Sequence, residues 1–130
     1  IIMKKVINTL FSVTLLALVI STASANHHKS DPVVPKSVIH VVTVSWKEGA
    51  TEQQIQAALD AVVTLAHEYD GITRVWIRSI KTQGDKTHAF VMEFKNEKAL
   101  KDYAGSDAQL KWYETYQAAN PRSSTFDITN

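Results

Sequence analysis

The sequence predicts an α+β domain built on one four-stranded antiparallel sheet, with helices on one face of that sheet. Two stretches, 37–46 and 87–94, alternate in side-chain direction with period two and are strongly apolar. A third stretch, 51–69, has apolar residues spaced three and four apart, which is typical of an amphipathic helix. Taken along the chain, the elements run strand, helix, strand, strand, helix, strand. This βαββαβ order is the ferredoxin-like plan.

The first residues predict a secretory signal peptide rather than part of the domain. Lys4 and Lys5 precede an apolar run over 11–20, and small residues follow up to Ala25. The alternative is a membrane anchor, but the run is short and interrupted compared with a span of about 20 residues. We expect cleavage between Ala25 and Asn26, although the small residues also permit cleavage after Ala23.

The domain boundaries follow from this leader. Residues 1–25 are the predicted signal peptide, 26–36 a polar, proline-containing flexible tether, and 37–130 the folded domain. The expected location is therefore secreted or periplasmic, with no membrane contact after cleavage.

Composition excludes several function classes. Without Lys4 and Lys5 the 14 basic residues fall to 12, against 13 acidic ones, so no basic surface for nucleic acid is expected. The chain has no cysteine, so its stability must come from a core rather than from disulfides. No glycine-rich phosphate loop and no known hydrolase or metalloprotease motif occurs. We expect no cofactor.

The first strand and helix carry clear signals. Residues 37–46 are rich in β-branched side chains and largely apolar on both faces, so both faces are expected to be covered. Thr51 and Gln54 form a predicted capping box at the start of the helix. Asp70-Gly71 is expected to end it, with Gly71 in the left-handed C′ conformation.

The next segment predicts a hairpin. Residues 72–80 are expected to form the second strand, and 81–86 a turn centred on Gly84-Asp85. The third strand then runs over 87–94.

The last part of the chain contains two further helix starts. Asn96 is a predicted N-cap, and Gly105 breaks the helix that follows. Ser106 caps a second helix, with Gln109 in capping-box position. A short final strand is expected over 122–129.

One face of this sheet carries no helix. Right-handed crossovers place the first and third strands at its centre. The uncovered face would then present five mostly apolar residues, namely Ile39, Val41, Thr43, Ala89 and Val91. A homodimer with its two sheets packed face to face would cover them.

Several segments resemble the stress-responsive dimeric α/β barrel (Dabb) family. They are VIHVVTVSWKEGATEQQIQ, the strand start Gly71-Ile72, THAFVMEFKNEKALKDY, and Phe126-Asp127, so the resemblance spans 37–129. It implies a homodimer whose sheets close into a barrel, and a pocket in each subunit between sheet and helices.

The resemblance also bears on chemistry. One plant member is a polyketide cyclase whose catalytic tyrosine falls on Tyr103 and whose two pocket histidines fall on His40 and His88. Its general-base histidine falls on Gln109, and an amide cannot take up a proton at neutral pH.

The candidate site residues follow from these patterns. His40 and His88 lie on neighbouring strands, and antiparallel pairing could bring them together on the helix side. With Tyr103, Trp76 and Tyr113 they could bind a small apolar or aromatic molecule. A rival interpretation is a cofactor-free monooxygenase or polyketide-cyclase-like enzyme using His40, His88 and Tyr103. A further alternative is structural, with neutral core histidines and a pocket filled by aromatic side chains.

The predicted mature terminus suggests a separate metal site. Cleavage after Ala25 would leave a free amine on Asn26, followed by His27 and His28. An amine, two backbone amides and an imidazole in third position can surround Cu(II) or Ni(II) in a square plane. The alternative is an exposed tether that contains histidines without binding metal.

Overall fold

The structure, a computed structural model, describes residues 31–130. Its elements, in chain order, are β1 (Val38–Trp46), α1 (Glu52–Glu68), β2 (Ile72–Trp76), β3 (His88–Phe94), α2 (Glu97–Tyr103), α3 (Asp107–Ala118) and β4 (Pro121–Ile128). The strands form one four-stranded sheet in the order β2-β3-β1-β4, and all neighbours are antiparallel. The predicted ferredoxin-like fold is confirmed. The predicted signal peptide and the residues of the proposed metal site lie outside the described residues.

The sheet register decides which side chains share a face. On β1, His40 lies opposite Met92 of β3 on one side and Asp127 of β4 on the other. Because opposite residues in an antiparallel pair point to the same face, these three side chains all lie on the helix side. Four residues further along β1, Val44 lies opposite His88.

The core fills the space between the sheet and the helices. Its fully buried side chains come from both layers, chiefly Val44, Val62, Leu65, Phe90, Met92 and Phe94.

Helix α1 is held at its start by the predicted capping box. The Thr51 hydroxyl accepts the N–H of Gln54, and the Gln54 side chain accepts the N–H of Thr51. Among residues 31–130 there is no helix with the length and apolar character needed to cross a membrane.

Strand β2 ends at Trp76, four residues earlier than the sequence predicts. Beyond it, the Ser79 hydroxyl donates to the carbonyl of Ala89 and accepts the N–H of Ala89. A side chain thus satisfies the backbone groups of β3 that a longer β2 would otherwise pair. The turn lies where predicted, since the N–H of Lys86 donates to Gln83 across Gly84 and Asp85.

Gly71 serves a different purpose from the one predicted. It has no positive φ, and α1 ends instead with Tyr69 in an extended conformation. A Cβ added at Gly71 would lie 2.2 Å from Cε1 of the Tyr69 ring. The glycine is therefore required by close packing against that ring, not by backbone conformation. Gly105, by contrast, has φ +80° and separates α2 from α3 as predicted.

The helix-free face of the sheet is apolar and partly open. Phe126 lies opposite Val41, and Trp76 lies opposite Val91, so all four point away from the helices. Phe126 is 61% exposed and Trp76 is 46% exposed. The same face contains Glu93, which is 4% exposed and accepts hydrogen bonds from Arg74 and from Ser37. Arg74 holds the pKa of Glu93 at about 2, and the Ser37 hydroxyl adds to this effect.

Candidate functional site

A cavity of about 390 Å³ lies between helices α2 and α3 and strands β1 and β4. This volume falls in the lower part of the range of roughly 300–1,000 Å³ that is typical of small-molecule sites. The helices contribute a mainly aromatic wall, with Tyr103, Trp112, Tyr113 and Tyr116. The sheet contributes a polar wall, with His40, Ser123, Thr125 and Asp127.

On the sheet wall, His40 and Asp127 form a hydrogen-bonded pair. Nδ1 of His40 lies 2.6 Å from Oδ1 of Asp127. A carboxylate can only accept, so the imidazole Nδ1 carries a hydrogen; in the neutral form of the ring this tautomer leaves the lone pair on Nε2. The His40 side chain is 14% exposed, and its ring packs edge-on against Phe94 at 6.0 Å between centroids. The pair therefore presents an oriented imidazole to the cavity.

On the helix wall, aromatic rings pack against one another and bury their polar atoms. The rings of Trp112 and Tyr116 are stacked with centroids 4.5 Å apart, and Tyr103 packs on Phe94 at 5.1 Å. The hydroxyls of Tyr103 and Tyr116 and Nε1 of Trp112 are buried and have no hydrogen-bond partner among residues 31–130. An unpartnered buried polar group costs roughly 1–3 kcal/mol. The wall is therefore less stable than an all-apolar wall of the same shape.

Burial also settles the protonation of the two tyrosines. It raises the pKa of Tyr103 well above the ordinary phenol value, and it also raises the pKa of Tyr116. Gln109 and Ser123 lie close enough to offset part of this rise in pKa, but neither reaches hydrogen-bonding geometry with the hydroxyl. Both phenols stay protonated at neutral pH, so neither can act as a general base.

Gln109 also lines the cavity, and its amide is held in place. Its Oε1 accepts the N–H of Gly105 at 2.6 Å, while its own backbone N–H donates to the Ser106 hydroxyl. The predicted capping box is thus only half formed, because the side chain reaches Gly105 instead of the Ser106 N–H. The amide group of Gln109 lies in the cavity without basic character.

The comparisons with known proteins agree with this architecture. The sequence profile of the Stress responsive A/B Barrel Domain matches residues 38–130. The chain belongs to this family. No curated protein matches the sequence.

Solved structures of the same fold include two enzymes. A hydroxynitrile lyase from Passiflora edulis is 15% identical with a TM-score of 0.63, covering 72% of this chain and 93% of that one. The cofactor-independent oxygenase SnoaB from Streptomyces nogalater is 10% identical with a TM-score of 0.59, covering 73% and 93%. A dimeric ferredoxin-like protein of unknown function from Jannaschia sp. CCS1 is 18% identical with a TM-score of 0.59, covering 72% and 99%. At these identities the likeness shows the A/B barrel fold alone.

The expectation that His40 and His88 lie close together is wrong for this A/B barrel domain. His88 lies opposite Val44, which is four residues beyond His40 on β1. This offset corresponds to roughly 13 Å along the strand. His88 lies outside the cavity, where its Nδ1 accepts the indole N–H of Trp46 at 2.8 Å. His88 is thus hydrogen-bonded within the fold and does not reach the cavity.

The other predicted site residues divide between the two faces. Tyr103 and Tyr113 line the cavity together with His40. Trp76 lies on the helix-free face, where the Arg74 guanidinium is 5.5 Å from its ring centroid. It cannot share a cavity with the tyrosines.

Asp127 is the cavity residue that sequence reasoning missed as a partner for His40. The two positions are 87 residues apart, and no local spacing connects them. A signal was nevertheless present, because the predicted sheet order makes the first and last strands neighbours.

Among residues 31–130, no group of three or more His, Cys, Asp or Glu side chains is arranged to hold a metal ion.

Proposed function

We propose that the cavity binds a small, mostly apolar or aromatic molecule and that His40 accepts a proton from it. The observation that carries this proposal is the His40–Asp127 pair in the polar wall of the cavity, opposite the mainly aromatic wall of the helices. Asp127 fixes the tautomer in which Nε2 is unprotonated, and it stabilises the imidazolium that forms after proton transfer. No cofactor is needed for such a step.

Aromatic walls favour a flat ligand. Trp112, Tyr113 and Tyr116 offer ring faces and edges that match a planar ring. The opposite wall supplies the hydroxyls of Ser123 and Thr125, so a ligand with oxygen substituents would find partners there. This chemistry supports an aromatic or enolic molecule over a purely aliphatic one.

The alternative is an enzyme, namely a cofactor-free monooxygenase or a polyketide-cyclase-like protein. Of its three candidate residues, only His40 fits the role of a base. In either reaction His40, which lines the cavity, is the candidate for removing a proton from the substrate. His88 is not, because it lies outside the cavity. Tyr103 stays protonated and could act only as a donor. The oxygenase among the structural neighbours is compatible with this chemistry but is too distant in sequence to assign it.

The helix-free face supports a homodimer. Phe126 and Ile128 are 61% and 59% exposed on a face that also contains Val41 and Val91. The fold neighbours described as dimeric agree with this arrangement. We expect Phe126→Asp to convert the dimer to a monomer in sedimentation experiments. Leu110→Asp, at an exposed apolar position of α3, should leave it unchanged.

Location remains a separate proposal that rests on the leader sequence. We propose that the protein is exported and that residues 1–25 are removed, which leaves it secreted or periplasmic. Native mass spectrometry of protein processed in a bacterial periplasm would report the mature terminus, the oligomer and any retained ligand mass together.

The proton-transfer step can be tested with 4-nitrophenol, whose phenolate absorbs in the visible range. In the wild type, binding should raise the phenolate fraction, because the phenolic proton moves to His40. His40→Gln should lose this increase, and Asp127→Asn should reduce it. His88→Gln should behave like the wild type. Equal phenolate fractions in wild type and His40→Gln, or no binding at all, would contradict the proposal.

A further inference from the structure

Gln109 has one end of its side chain fixed and the other end unused. We infer that its amide N–H is the donor that holds an oxyanion in the cavity. The ligand class that follows is a molecule whose oxygen becomes negative as His40 removes a proton, that is, a phenol or an enolisable carbonyl compound. This inference rests on the proposed function, because it needs a ligand in the same cavity.

The hydrogen bond to Gly105 identifies the two ends of the amide. A backbone N–H can only donate, so the Gln109 atom 2.6 Å from it is the oxygen. The remaining group, Nε2, carries two hydrogens. The side chain lies near the Tyr103 hydroxyl without reaching hydrogen-bonding geometry, so Nε2 has no formed hydrogen bond to residues 31–130. The side chain is half-buried and lines the cavity.

The support of Gln109 makes this donor rigid. Gly105 has φ +80°, a conformation that favours glycine, and it joins the end of α2 to the start of α3. The backbone N–H of Gln109 donates to the Ser106 hydroxyl at 3.2 Å. Both the main chain and the side-chain oxygen of Gln109 are therefore fixed before a ligand arrives. A donor that needs no reorganisation stabilises developing negative charge most effectively.

The proton and electron balance of the step is simple. His40 Nε2 takes the proton from the ligand O–H, or from the C–H next to a carbonyl. The bonding electron pair stays on the oxygen, or moves onto the carbonyl oxygen, and that oxygen accepts the N–H of Gln109. No oxidant or second substrate is consumed, and the reverse step returns the proton.

The variant Gln109→Glu separates this role from a structural one. A glutamate oxygen can still accept the N–H of Gly105, so the link between α2 and α3 is kept. The free amide N–H is replaced by a second acceptor that carries negative charge, which opposes an oxyanion. The probes are 4-nitrophenolate and 4-nitrotoluene, which share a ring and a nitro group but differ in the oxyanion.

We expect Gln109→Glu to bind 4-nitrophenolate at least about tenfold more weakly than the wild type, because a hydrogen bond to a charged group is lost. Its affinity for 4-nitrotoluene should change by less than about twofold, since the apolar walls are untouched. Lys101→Gln is a second comparison, because Lys101 also lines the cavity and carries positive charge.

Three results would overturn the inference. In the first, Gln109→Glu binds both probes as the wild type does. In the second, it loses both probes equally, which would mean that Gln109 acts through the shape of the cavity. In the third, Lys101→Gln and not Gln109→Glu loses the phenolate. A wild type that binds neither probe would instead remove the proposed function itself.

Discussion

Replacing Tyr116 by Phe should stabilise the domain, which is the opposite of what loss of a tyrosine hydroxyl usually does. The hydroxyl of Tyr116 is buried without a partner among residues 31–130, while its ring stacks on Trp112 and packs edge-on against Trp46. Phenylalanine keeps the ring contacts and removes the unpartnered oxygen. Tyr69 is the matched control, because its hydroxyl donates to the carbonyl of Ala99 at 2.6 Å.

The two substitutions should shift stability in opposite directions. An unsatisfied buried hydroxyl costs roughly 1–3 kcal/mol, so Tyr116→Phe should add about 1 kcal/mol to the free energy of unfolding. A satisfied hydrogen bond contributes a net of about 0.5–1.5 kcal/mol, so Tyr69→Phe should remove about 1 kcal/mol. For a domain of 60–100 residues, 1 kcal/mol corresponds to a Tm change of about 4–8 °C.

Urea and thermal denaturation at one fixed protein concentration measure both variants. The concentration must be matched because dimerisation makes Tm depend on it. If Tyr116→Phe loses as much stability as Tyr69→Phe, the reasoning is refuted. The nearby Ser123 hydroxyl would then be the partner that satisfies Tyr116 in solution.

Three further predictions follow from other parts of the chain. Because the folded pKa of Glu93 is lowered from 4.5 to about 2, its stabilising effect is complete above pH 4.5 and is lost as pH falls towards 2. After a discount for the exposed guanidinium partner, acid should lower the free energy of unfolding of the wild type by about 1–2 kcal/mol through protonation of Glu93. Glu93→Gln has no carboxylate to protonate at this position and should not show this loss. Urea denaturation between about pH 2 and 5 measures both proteins. Gly71→Ala should cost about 1–3 kcal/mol in the same assay, because its Cβ displaces the Tyr69 ring, and an unchanged midpoint would contradict this. Mature protein beginning at residue 26 should bind Cu(II) one to one in a titration, and acetylation of its amine or His28→Ala should abolish the complex; equal binding in all three forms would exclude that site.

The sequence by itself determined the secondary-structure elements and their order, because the signals for them are local. The Thr51 box and the Asn96 and Ser106 caps act within three or four residues of each helix start, and all three are formed. Strand alternation likewise separated the core face from the helix-free face. The predicted end of the second strand was wrong, because a side chain competed with the backbone of that strand for the same hydrogen-bonding groups. The Ser79 hydroxyl ended β2 early by bonding to a strand that the second strand was expected to pair with.

The site was decided only by the tertiary structure. His40 and His88 both sit on the helix side of adjacent strands, so pattern alone made them look like a pair. No local signal sets the register of the strands. The register places His88 opposite Val44, four residues along β1 from His40, and it places Asp127 opposite His40 instead. Gly71 likewise depends on where the Tyr69 ring packs. Alternation with period two determines the face that a side chain occupies, but its neighbours along that face depend on how strands distant in sequence align.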